Sequence, residues 1–305
     1  MKKKIVVFIP CLNEEATIGR VISQFKKKIP NSSIFVYDNN SDDKSIEVAQ
    51  KCGAKIVKVK KRGKGNVVRK MFSDPIKGDF FVMIDGDDTY DIKNLNEMIQ
   101  KMEKNNLDMI VARRNHIQSS AYRLGHVFGN RFFSKFVKVF FGNDINDLFS
   151  GFRIFSKRFI KTFPIDSKEF EVEAELTIHA LEQRLPVAEF ECDYKSRPKG
   201  SNSKLNTVKD GVKILKLILI LIKDGRPLMF FSIFSFLFFI SSLYIGFPII
   251  YDFYKTGLVE RLPSAVLSGF MMILAFLSFF SGLILDAIKK MRFENKRINY
   301  LLFKD

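Results

Sequence analysis

The sequence lacks tryptophan and has only three cysteines and three histidines among its 305 residues. Cys11, Cys52 and Cys192 stand far apart, so they form neither a closely spaced metal-binding pair nor an even disulfide framework. Such cysteines are typical of reduced thiols in a cytoplasmic domain. The histidines are equally isolated, and the sequence therefore predicts no zinc site.

Acidic residues are also in short supply. The chain has 33 Asp and Glu against 50 Lys and Arg, which gives a formal net charge of +17. This balance favours an anionic partner: a phosphate, a nucleic acid or an acidic membrane surface. A signal peptide is not expected, because the apolar run from Ile5 to Ile9 is too short and is followed by Pro10.

Short apolar runs alternate with helical patterns through the first two thirds of the chain. Predicted strands occupy residues 4–9, 34–37, 55–59, 80–84, 108–112 and 186–194. Alternation at this spacing predicts a largely parallel α/β sheet with right-handed crossovers. Asn13 is the expected N-cap of the first helix. The pattern is that of a nucleotide-binding domain without the glycine fingerprint of dinucleotide folds.

The stretch 80–91 joins a buried strand to four carboxylates, Asp85, Asp87, Asp88 and Asp91. Acidic residues just past the carboxyl end of a buried strand lie where open α/β sheets bind ligands. Hard oxygen ligands suit Mg²⁺ or Mn²⁺, so the stretch predicts a divalent-metal site that holds a diphosphate. The alternative is a solvated acidic turn that caps the next helix through Thr89 or Asp91.

Polar residues follow the other early strands in the same way. An Asp- and Asn-rich segment, 38–43, follows the second strand, and a lysine- and glycine-rich segment, 60–66, follows the third. The glycines allow backbone amides to approach an anion, but their spacing is not that of a P-loop. Glu14, after the first strand, either contacts the ligand or only complements the dipole of the first helix.

Three later segments are basic. Residues 118–141 alternate Lys and Arg with Phe, which fits a helix on a membrane surface or a core helix with one wet face. Residues 197–204 form a polar loop that either closes over phosphates or is a plain linker. Residues 207–223 carry lysines on one stripe and aliphatic residues elsewhere, which predicts a helix lying on anionic lipid.

Two long runs, 228–250 and 263–285, contain no charged residue. Each is long enough to cross the hydrocarbon core of a bilayer. Their outer flanks are far more basic than the segment between them, so the positive-inside rule predicts that both flanks, both termini and the preceding domain are cytoplasmic. The alternative is a pair of buried helices in a soluble core. The spans argue against a nucleic-acid partner.

This organisation predicts three parts. Residues 1–203 form a cytoplasmic catalytic domain, 204–226 an interfacial amphipathic helix, and 227–305 a two-helix transmembrane hairpin with a short basic tail.

Six motifs occur in the order found in family 2 glycosyltransferases. They are Ile-Pro-Cys-Leu-Asn-Glu-Glu (9–15), Tyr-Asp-Asn-Asn-Ser-Asp-Asp (37–43), Arg-Gly-Lys-Gly (62–65), Asp-Gly-Asp-Asp (85–88), Ser-Gly-Phe-Arg (150–153) and Arg-Pro-Lys-Gly-Ser (197–201). Over about residues 4–225 the chain resembles the polyprenyl-phosphate branch, the group of dolichol-phosphate mannose synthases and bacterial prenyl-phosphate glucosyltransferases. The resemblance implies a GT-A nucleotide-sugar-binding domain with a mostly parallel sheet.

The resemblance also implies site residues of four kinds. Nucleotide binding is implied for Pro10, Leu12, Glu14, Asp38, Asn40, Lys64, Asp85 and Gly86. Binding of Mg²⁺ or Mn²⁺ is implied for Asp85 and Asp87, with water completing the metal shell. Catalytic roles are implied for Asp87, Arg114, Arg153 and Arg197, the three arginines lying where the family holds phosphates. Asp147 is a further catalytic candidate, which could orient the acceptor. Contacts with the acceptor phosphate are implied for Arg131, Ser134, Ser201 and Lys204.

The expected reaction is inverting transfer of a sugar to a membrane polyprenyl phosphate, of the undecaprenyl or dolichyl type. A lipid phosphate is mostly ionised at neutral pH, so it needs no strong general base. UDP-glucose and UDP-GlcNAc are the favoured donors, with GDP-mannose behind them. Two alternatives stay open: transfer to another lipid or a polysaccharide, and a non-catalytic membrane subunit. A homo-oligomer is also left open.

Overall fold

The computed structural model describes residues 3–116, 145–164, 172–196, 220 and 223–303. The chain divides into two compact units, one of residues 1–211 with 296–305 and one of residues 212–295. The elements, in chain order, are β1 (Ile5–Cys11), α1 (Ile18–Lys28), β2 (Ser33–Asp38), α2 (Ser45–Lys51), β3 (Lys55–Lys58), α3 (Lys64–Ser73), β4 (Phe80–Met83), α4 (Leu95–Lys104), β5 (Met109–His116), β6 (Arg153–Ser156), α5 (Lys157–Thr162), α6 (Val172–Glu182), β7 (Val187–Tyr194), α7 (Pro227–Thr256) and α8 (Leu262–Leu302).

The described strands of the first unit form one sheet in the order β3-β2-β1-β4-β6-β5-β7. All pairs are parallel except those of β6, which runs antiparallel to both β4 and β5. β1 lies near the centre, and its apolar run from Val6 to Ile9 is fully buried because the sheet is covered on both faces. The predicted mostly parallel α/β sheet is confirmed.

The apolar core lies on both sides of this sheet. One cluster includes Ile9, Ile22 and Leu95, and the other includes Phe8 and Phe155. Successive side chains of a strand point to opposite faces, so β1 supplies residues to both clusters. The central strands are therefore held on both faces, and the carboxyl ends of β1, β2 and β4 lead into polar segments.

The start of α1 differs from the prediction. The helix begins at Ile18 after Thr17, and Asn13 is not its N-cap. Asn13 adopts a left-handed conformation with φ of 53°, and its Oδ1 accepts a hydrogen bond from the backbone N–H of Asp42 at 2.8 Å. A short Asn side chain tolerates this conformation. The segment between β1 and α1 is thus a loop tied to the loop after β2.

The sequence pattern did not predict β6 and α5. Four residues make a weak period-two signal, and β6 begins with a charged residue, Arg153. α5 follows without a gap, because Ser156 ends the strand and its Oγ accepts from the backbone N–H of Phe159 at 3.0 Å. This N-cap starts the helix.

The end of the chain packs onto the first unit. Tyr300 is 8% exposed and belongs to the same apolar cluster as Phe8. Its hydroxyl donates to Asp108 Oδ2 at 2.5 Å, and the guanidinium of Arg158 lies 4.6 Å from its ring. Residues 296–303, called the tail here, lie in the short basic cytoplasmic tail that the sequence predicted as part of the 227–305 hairpin unit. The structure groups them with the sheet, because Tyr300 fills apolar space there.

The second unit contains α7 and the larger part of α8. Both helices are long and apolar enough to cross a membrane, with a mean hydropathy of 2.2 in their most apolar windows. Only 6% and 11% of those windows are buried, unlike the core helices of a soluble protein. Ser242 Oγ donates to the carbonyl of Ser268 at 2.8 Å, and Ser268 Oγ donates to that of Ser242 at 3.0 Å. These reciprocal bonds join the two helices.

Candidate active site

The site is built at the carboxyl ends of neighbouring parallel strands. β1 lies between β2 and β4, and its last residue, Cys11, stands opposite Asp38 at the end of β2. The loop after β1 meets the turn after β4, because Thr17 Oγ1 donates to the carbonyl of Gly86 at 2.7 Å. Three predicted segments are thereby brought to one edge of the sheet, as the parallel topology requires.

The acidic turn, residues 85–91, uses its carboxylates in different ways. Asp88 accepts from Arg20 Nε and Gln24 Nε2, both at 2.9 Å, so α1 holds it away from the centre. Asp91 Oδ1 accepts from the backbone N–H of Lys93 at 2.8 Å and stabilises the turn itself. Neither Asp91 nor Thr89 caps the next helix, whose N-cap is Asn94. This leaves Asp85 and Asp87 for a ligand.

Asp87 is only 3% exposed. Its Oδ1 accepts from Thr89 Oγ1 at 2.6 Å and from the backbone N–H of Thr89 at 3.3 Å. Both bonds end on Oδ1, so the Asp87 carboxylate is held in place through that one oxygen. Thr89 therefore orients Asp87.

Asp85 is the more accessible carboxylate of the pair, with 28% of its side chain exposed. Its Oδ1 accepts from Lys64 Nζ at 2.6 Å. A β-carbon at position 151 would lie 2.0 Å from Asp85 Oδ2, so only glycine allows the loop before β6 to approach this closely. The Ser-Gly-Phe-Arg motif thus shapes the wall of the Asp85 site.

Lys64 contacts a second carboxylate, Glu173 near the start of α6. Burial opposes the charge of the ammonium, but Asp85 and Glu173 outweigh it and raise the pKa of Lys64 above its usual value. Burial raises the pKa of Glu173, partly offset by Lys64. Glu173 Oε2 has no hydrogen-bond partner among the described residues. The sequence did not predict Glu173, because nothing near it in the chain marks it as part of this edge.

Arg114 and Asp147 form a bidentate ion pair. Arg114 Nε donates to Asp147 Oδ2 and its Nη2 to Oδ1, each at 2.7 Å. Burial favours the neutral carboxyl group, but Arg114 outweighs it and lowers the pKa of Asp147. The guanidinium also lies 5.5 Å from the ring of Tyr194. The two residues, predicted with separate roles, act as one rigid unit in this structure.

The position of Arg153 differs from the prediction of a phosphate contact. The side chain is 0% exposed, and its guanidinium donates to the carbonyls of Ser150 and Leu148 and to Thr177 Oγ1 at 2.7–2.9 Å. Burial lowers the pKa of Arg153 to about 10. As the first residue of β6 it points into the interior, where it supports the loop that faces Asp85. A direct phosphate contact is not available in this arrangement.

The loops after β2 and β3 are joined through Asn39. Its Nδ2 donates to the carbonyl of Lys61 at 2.8 Å, and its Oδ1 accepts from the backbone N–H of Gly63 at 2.7 Å. Asn40, the predicted nucleotide contact, donates to the carbonyl of Lys60 at 2.7 Å and is exposed. Asp38 is 3% exposed at this junction. The sequence identified the segment but did not identify Asn39 as the residue that fixes it.

The loop after β1 carries Pro10, Leu12 and Glu14. Pro10 and Leu12 are partly buried, and Glu14 is 9% exposed. The backbone N–H of Glu14 donates to Ser45 Oγ at 2.8 Å, which ties this loop to α2. Glu14 Oε2 accepts from the hydroxyl of Thr17, the N-cap of α1, at 3.4 Å, so its carboxylate lies beside the start of that helix.

Several predicted residues lie outside the part of the chain that the structure describes. They are Arg131, Ser134, Arg197, Ser201 and Lys204. The segments 118–141 and 197–204 and most of 207–223 lie outside it as well.

The donor set at this edge fits a divalent cation that arrives with a diphosphate. Among the described residues, no group of three His, Cys, Asp or Glu side chains is arranged to hold a metal alone. Asp85 and Asp87 supply carboxylate oxygens, and Mg²⁺ commonly binds through one or two carboxylates plus substrate phosphates and water. Gly151 approaches Asp85 closely, and Glu173 Oε2 has no hydrogen-bond partner in the described part of the chain, so polar groups are gathered tightly beside Asp85.

Comparisons with known proteins identify a family and two similar proteins. Residues 6–163, just over half of the chain, match the family described as "Glycosyl transferase family 2". The glycosyltransferase AglJ of Haloferax volcanii is 26% identical over 300 residues, which cover 97% of this chain and 98% of AglJ. A dolichyl-phosphate beta-glucosyltransferase of Dictyostelium discoideum is 24% identical, with 68% of this chain and 72% of the relative covered.

A solved structure shares the fold. It is glucosyl-3-phosphoglycerate synthase from Mycobacterium tuberculosis in complex with Mn²⁺ and uridine-diphosphate-glucose. The TM-score is 0.57 at 21% identity, over 72% of this chain and 78% of the synthase. Together with the family match, this similarity confirms the predicted GT-A type of α/β fold.

Proposed function

The chain belongs to glycosyltransferase family 2, and we propose that it transfers a hexose from a nucleotide sugar to the phosphate of a membrane polyprenyl phosphate. The observation that carries this proposal is that Tyr194, whose ring lies 5.5 Å from the Arg114 guanidinium, interacts electrostatically with Asp85, Asp87 and Arg114. The Lys64–Asp85 contact and the Arg114–Asp147 pair therefore belong to one site, in a GT-A fold whose chain continues into two apolar helices. The dolichyl-phosphate transferase among the relatives supports the choice of acceptor.

The favoured donors are UDP-glucose and UDP-GlcNAc, with GDP-mannose behind them. The similar synthase structure holds UDP-glucose with Mn²⁺, which supports a uridine nucleotide and a divalent cation. The loops joined by Asn39, together with Asp38 and Glu14, would bind the nucleoside. Their polar atoms suit a base and ribose, and the basic segment at 60–64 suits the phosphates.

Charge on the leaving diphosphate is the main electrostatic demand of the reaction. When bound, Mg²⁺ or Mn²⁺ held by Asp85 and Asp87 would neutralise part of that charge. Lys64 adds a buried positive charge beside Asp85. Arg114 supplies a further positive charge, and the guanidinium of Arg114 is held in one orientation by Asp147.

The acceptor phosphate acts as the nucleophile. One of its oxygens forms the new bond to the anomeric carbon while the bond from that carbon to the nucleoside diphosphate breaks, and the diphosphate leaves with the electron pair. A single displacement inverts the anomeric centre. The phosphate is already ionised at neutral pH, so no side chain has to remove a proton.

The acceptor is a lipid, so the enzyme must work at a membrane surface. α7 and α8 have the length and composition to anchor it there. The basic flanks outside the two apolar runs support an orientation with both termini and the sheet domain in the cytoplasm. A soluble nucleotide sugar and a lipid phosphate would then reach the same site.

A donor screen tests the proposal. Full-length protein in membranes that contain polyprenyl phosphate is incubated with UDP-glucose, UDP-GlcNAc or GDP-mannose and Mg²⁺ or Mn²⁺. We expect one donor to yield a lipid-linked monosaccharide, and chelation of the metal to abolish the product. Sugar transfer that proceeds equally well without polyprenyl phosphate would contradict the assigned acceptor.

A further inference from the structure

Lys64 binds two carboxylates that differ in their surroundings. Its Nζ donates to Asp85 Oδ1 at 2.6 Å and also contacts Glu173 Oε1. The side chain of Asp85 is 28% exposed, whereas that of Glu173 is 5% exposed. One partner of the ammonium therefore opens toward the ligand side, and the other lies in the interior.

The interior partner has unused capacity. Glu173 Oε1 contacts Lys64, while Oε2 has no hydrogen-bond partner among the described residues. An unpaired buried carboxylate oxygen is costly, and an ammonium with three donors can serve both oxygens. Lys64 would gain this second acceptor if it left Asp85.

The partner on the ligand side has a competing demand. Asp85 is one of the two carboxylates assigned to a divalent cation. The cation would lie about 2.0–2.1 Å from a carboxylate oxygen in the case of Mg²⁺, and an ammonium at the same oxygen would face it at short range. Two like charges in a partly buried site repel strongly. Lys64 and the cation therefore compete for Asp85.

We propose that Lys64 is a displaceable counter-ion, which neutralises Asp85 in the free protein and moves toward Glu173 and the donor diphosphate when a divalent cation takes Asp85. The inference rests on the proposed function, since it presumes that Asp85 binds the cation. In this role Lys64 is a positioning residue and Glu173 is its anchor. Neither needs to touch the sugar.

The exchange couples the cation to the nucleotide. The cation alone must displace Lys64 without offering it a new anion, so it binds weakly. A nucleoside diphosphate supplies that anion, and each ligand then strengthens binding of the other by the same factor. The protein thereby avoids holding a bare divalent cation, and the site becomes complete only with the donor present.

The test measures Mn²⁺ binding by full-length protein in detergent, through the electron paramagnetic resonance signal of free Mn²⁺, alone and with UDP or GDP. In Lys64→Met we expect Mn²⁺ alone to bind about fivefold or more tightly than in the wild type, the lower end of common coupling factors. We also expect the strengthening by nucleotide to shrink. Lys104→Met is the matched control, because Lys104 is exposed at the end of α4 and its substitution removes the same charge outside the site.

Glu173→Gln gives a second and opposite readout. It leaves Asp85 as the one charged partner of Lys64 among the described contacts, so Mn²⁺ alone should bind more weakly than in the wild type. Each variant is first checked for a thermal unfolding transition like that of the wild type. Unchanged or weaker Mn²⁺ binding by folded Lys64→Met, or tighter binding by Glu173→Gln, would overturn the exchange.

Asp85→Asn separates this inference from the proposed function. If it binds Mn²⁺ as the wild type does, the cation is not at Asp85, and the metal assignment in the proposed function is wrong together with the exchange. If it loses Mn²⁺ while Lys64→Met behaves as the wild type, the metal assignment stands and the exchange alone is overturned.

Discussion

Asp87 and Asp91 lie in one turn and have the same chemistry, but their surroundings assign them different roles. Asp87 is nearly buried and held by Thr89, whereas Asp91 accepts from the backbone of Lys93 and contacts Lys195 at 3.6 Å. This contrast provides a matched pair of substitutions within one turn.

Asp87→Asn should lower sugar transfer by about a hundredfold or more, because it removes a charge that helps to hold the cation and its diphosphate. Asparagine keeps an oxygen for Thr89, so the fold should survive. Initial rates of lipid-linked product formation measure the effect. Asp91→Asn is the control and should transfer sugar at close to the wild-type rate. Equal losses in both would show that the turn, and not the Asp87 charge, matters.

His179 makes the stability of the first unit depend on pH. It is 6% exposed, its ring lies 4.9 Å from that of Phe163, and its Nδ1 has no partner among the described residues. Burial, with a smaller effect of Lys296, lowers the pKa of His179 to about 3. In the folded protein His179 therefore stays neutral below pH 6.5. In the unfolded chain, where its pKa is about 6.5, it binds a proton in that range.

Stability should fall as the pH drops from 7 to 5, by about 2 kcal/mol from this residue, since the loss begins at the unfolded pKa and continues toward the folded one. This corresponds to a decrease of about 4–8 °C in the unfolding temperature. His179→Phe places another aromatic ring at this position, and that ring cannot titrate. The unfolding temperature of the variant should therefore decrease less over the same pH range. Thermal unfolding of both proteins at the two pH values provides the measurement. Equal decreases would mean that His179 is not the titrating group.

Sequence patterns identified the residues that follow strands but not those that reach the site from elsewhere. Asp85 and Lys64 were predicted, because each directly follows a strand or opens a helix at the ligand edge. Glu173 was not, since α6 arrives through tertiary packing that no local pattern encodes. Arg153 was predicted at the phosphates but is buried in this structure, because the direction of a side chain depends on the strand to which it belongs.

At the scale of elements, a strand or helix could be predicted when its pattern of apolar residues was strong. The buried runs of β1, β2 and β4 are bounded by polar turns, so their positions were found within a few residues. β6 has only four residues and pairs antiparallel with both neighbours, which strand–helix alternation does not anticipate. The apolar helices were found easily, because a long uncharged run has few alternative interpretations.

The pairing of α7 and α8 depends on a small residue. A β-carbon at Gly246 would lie 2.5 Å from Ser268 Oγ, which is already bonded to Ser242. Small residues at such contacts allow helix backbones to approach closely in a membrane. Gly269, on α8, has nothing within 4 Å of its β-carbon position.

Gly246→Leu should destabilise the hairpin by about 1–3 kcal/mol, because the larger side chain forces the helices apart. Gly269→Leu gains the same helix propensity without this clash and serves as the control. Thermal unfolding of the full-length proteins in detergent, followed by helical circular dichroism, compares them. A Gly269→Leu protein as unstable as Gly246→Leu would indicate that the loss arises from added bulk and not from the Ser242–Ser268 contact.

On the scale of the whole molecule, the first unit is not continuous in sequence. Asp108 is 0% exposed and accepts from Tyr300, while Arg158 forms an ion pair with it at 3.0 Å. Arg297 Nη1 donates to the carbonyl of Gln183 at 3.2 Å. No sequence pattern joins a residue near position 300 to a strand near 109, so the predicted division at residue 227 grouped the tail with the hairpin.

Tyr300→Ala should destabilise the first unit by about 3–5 kcal/mol, because it opens a cavity and removes a partner of Asp108. Tyr300→Phe keeps the ring, and Arg158 still serves Asp108, so its cost should be about 1 kcal/mol. Nucleotide-binding and thermal unfolding measurements on the full-length proteins separate the two. Similar stabilities for Tyr300→Ala and the wild type would show that the tail contributes nothing to the sheet domain.

Removing residues 227–305 is consequently a harsher change than removing an anchor. A soluble fragment without the tail should bind nucleotide more weakly than a fragment in which residues 296–305 are restored through a short linker. Comparable nucleotide-dependent shifts in the unfolding temperature of both fragments would contradict this.

The position of Tyr300 also affects the order in which parts of the protein can fold during synthesis. During translation, the apolar runs 228–250 and 263–285 leave the ribosome before Tyr300 does. The contact between Tyr300 and Asp108 can therefore form only after both apolar runs have been made. The sheet domain would reach full stability only at that late stage of synthesis.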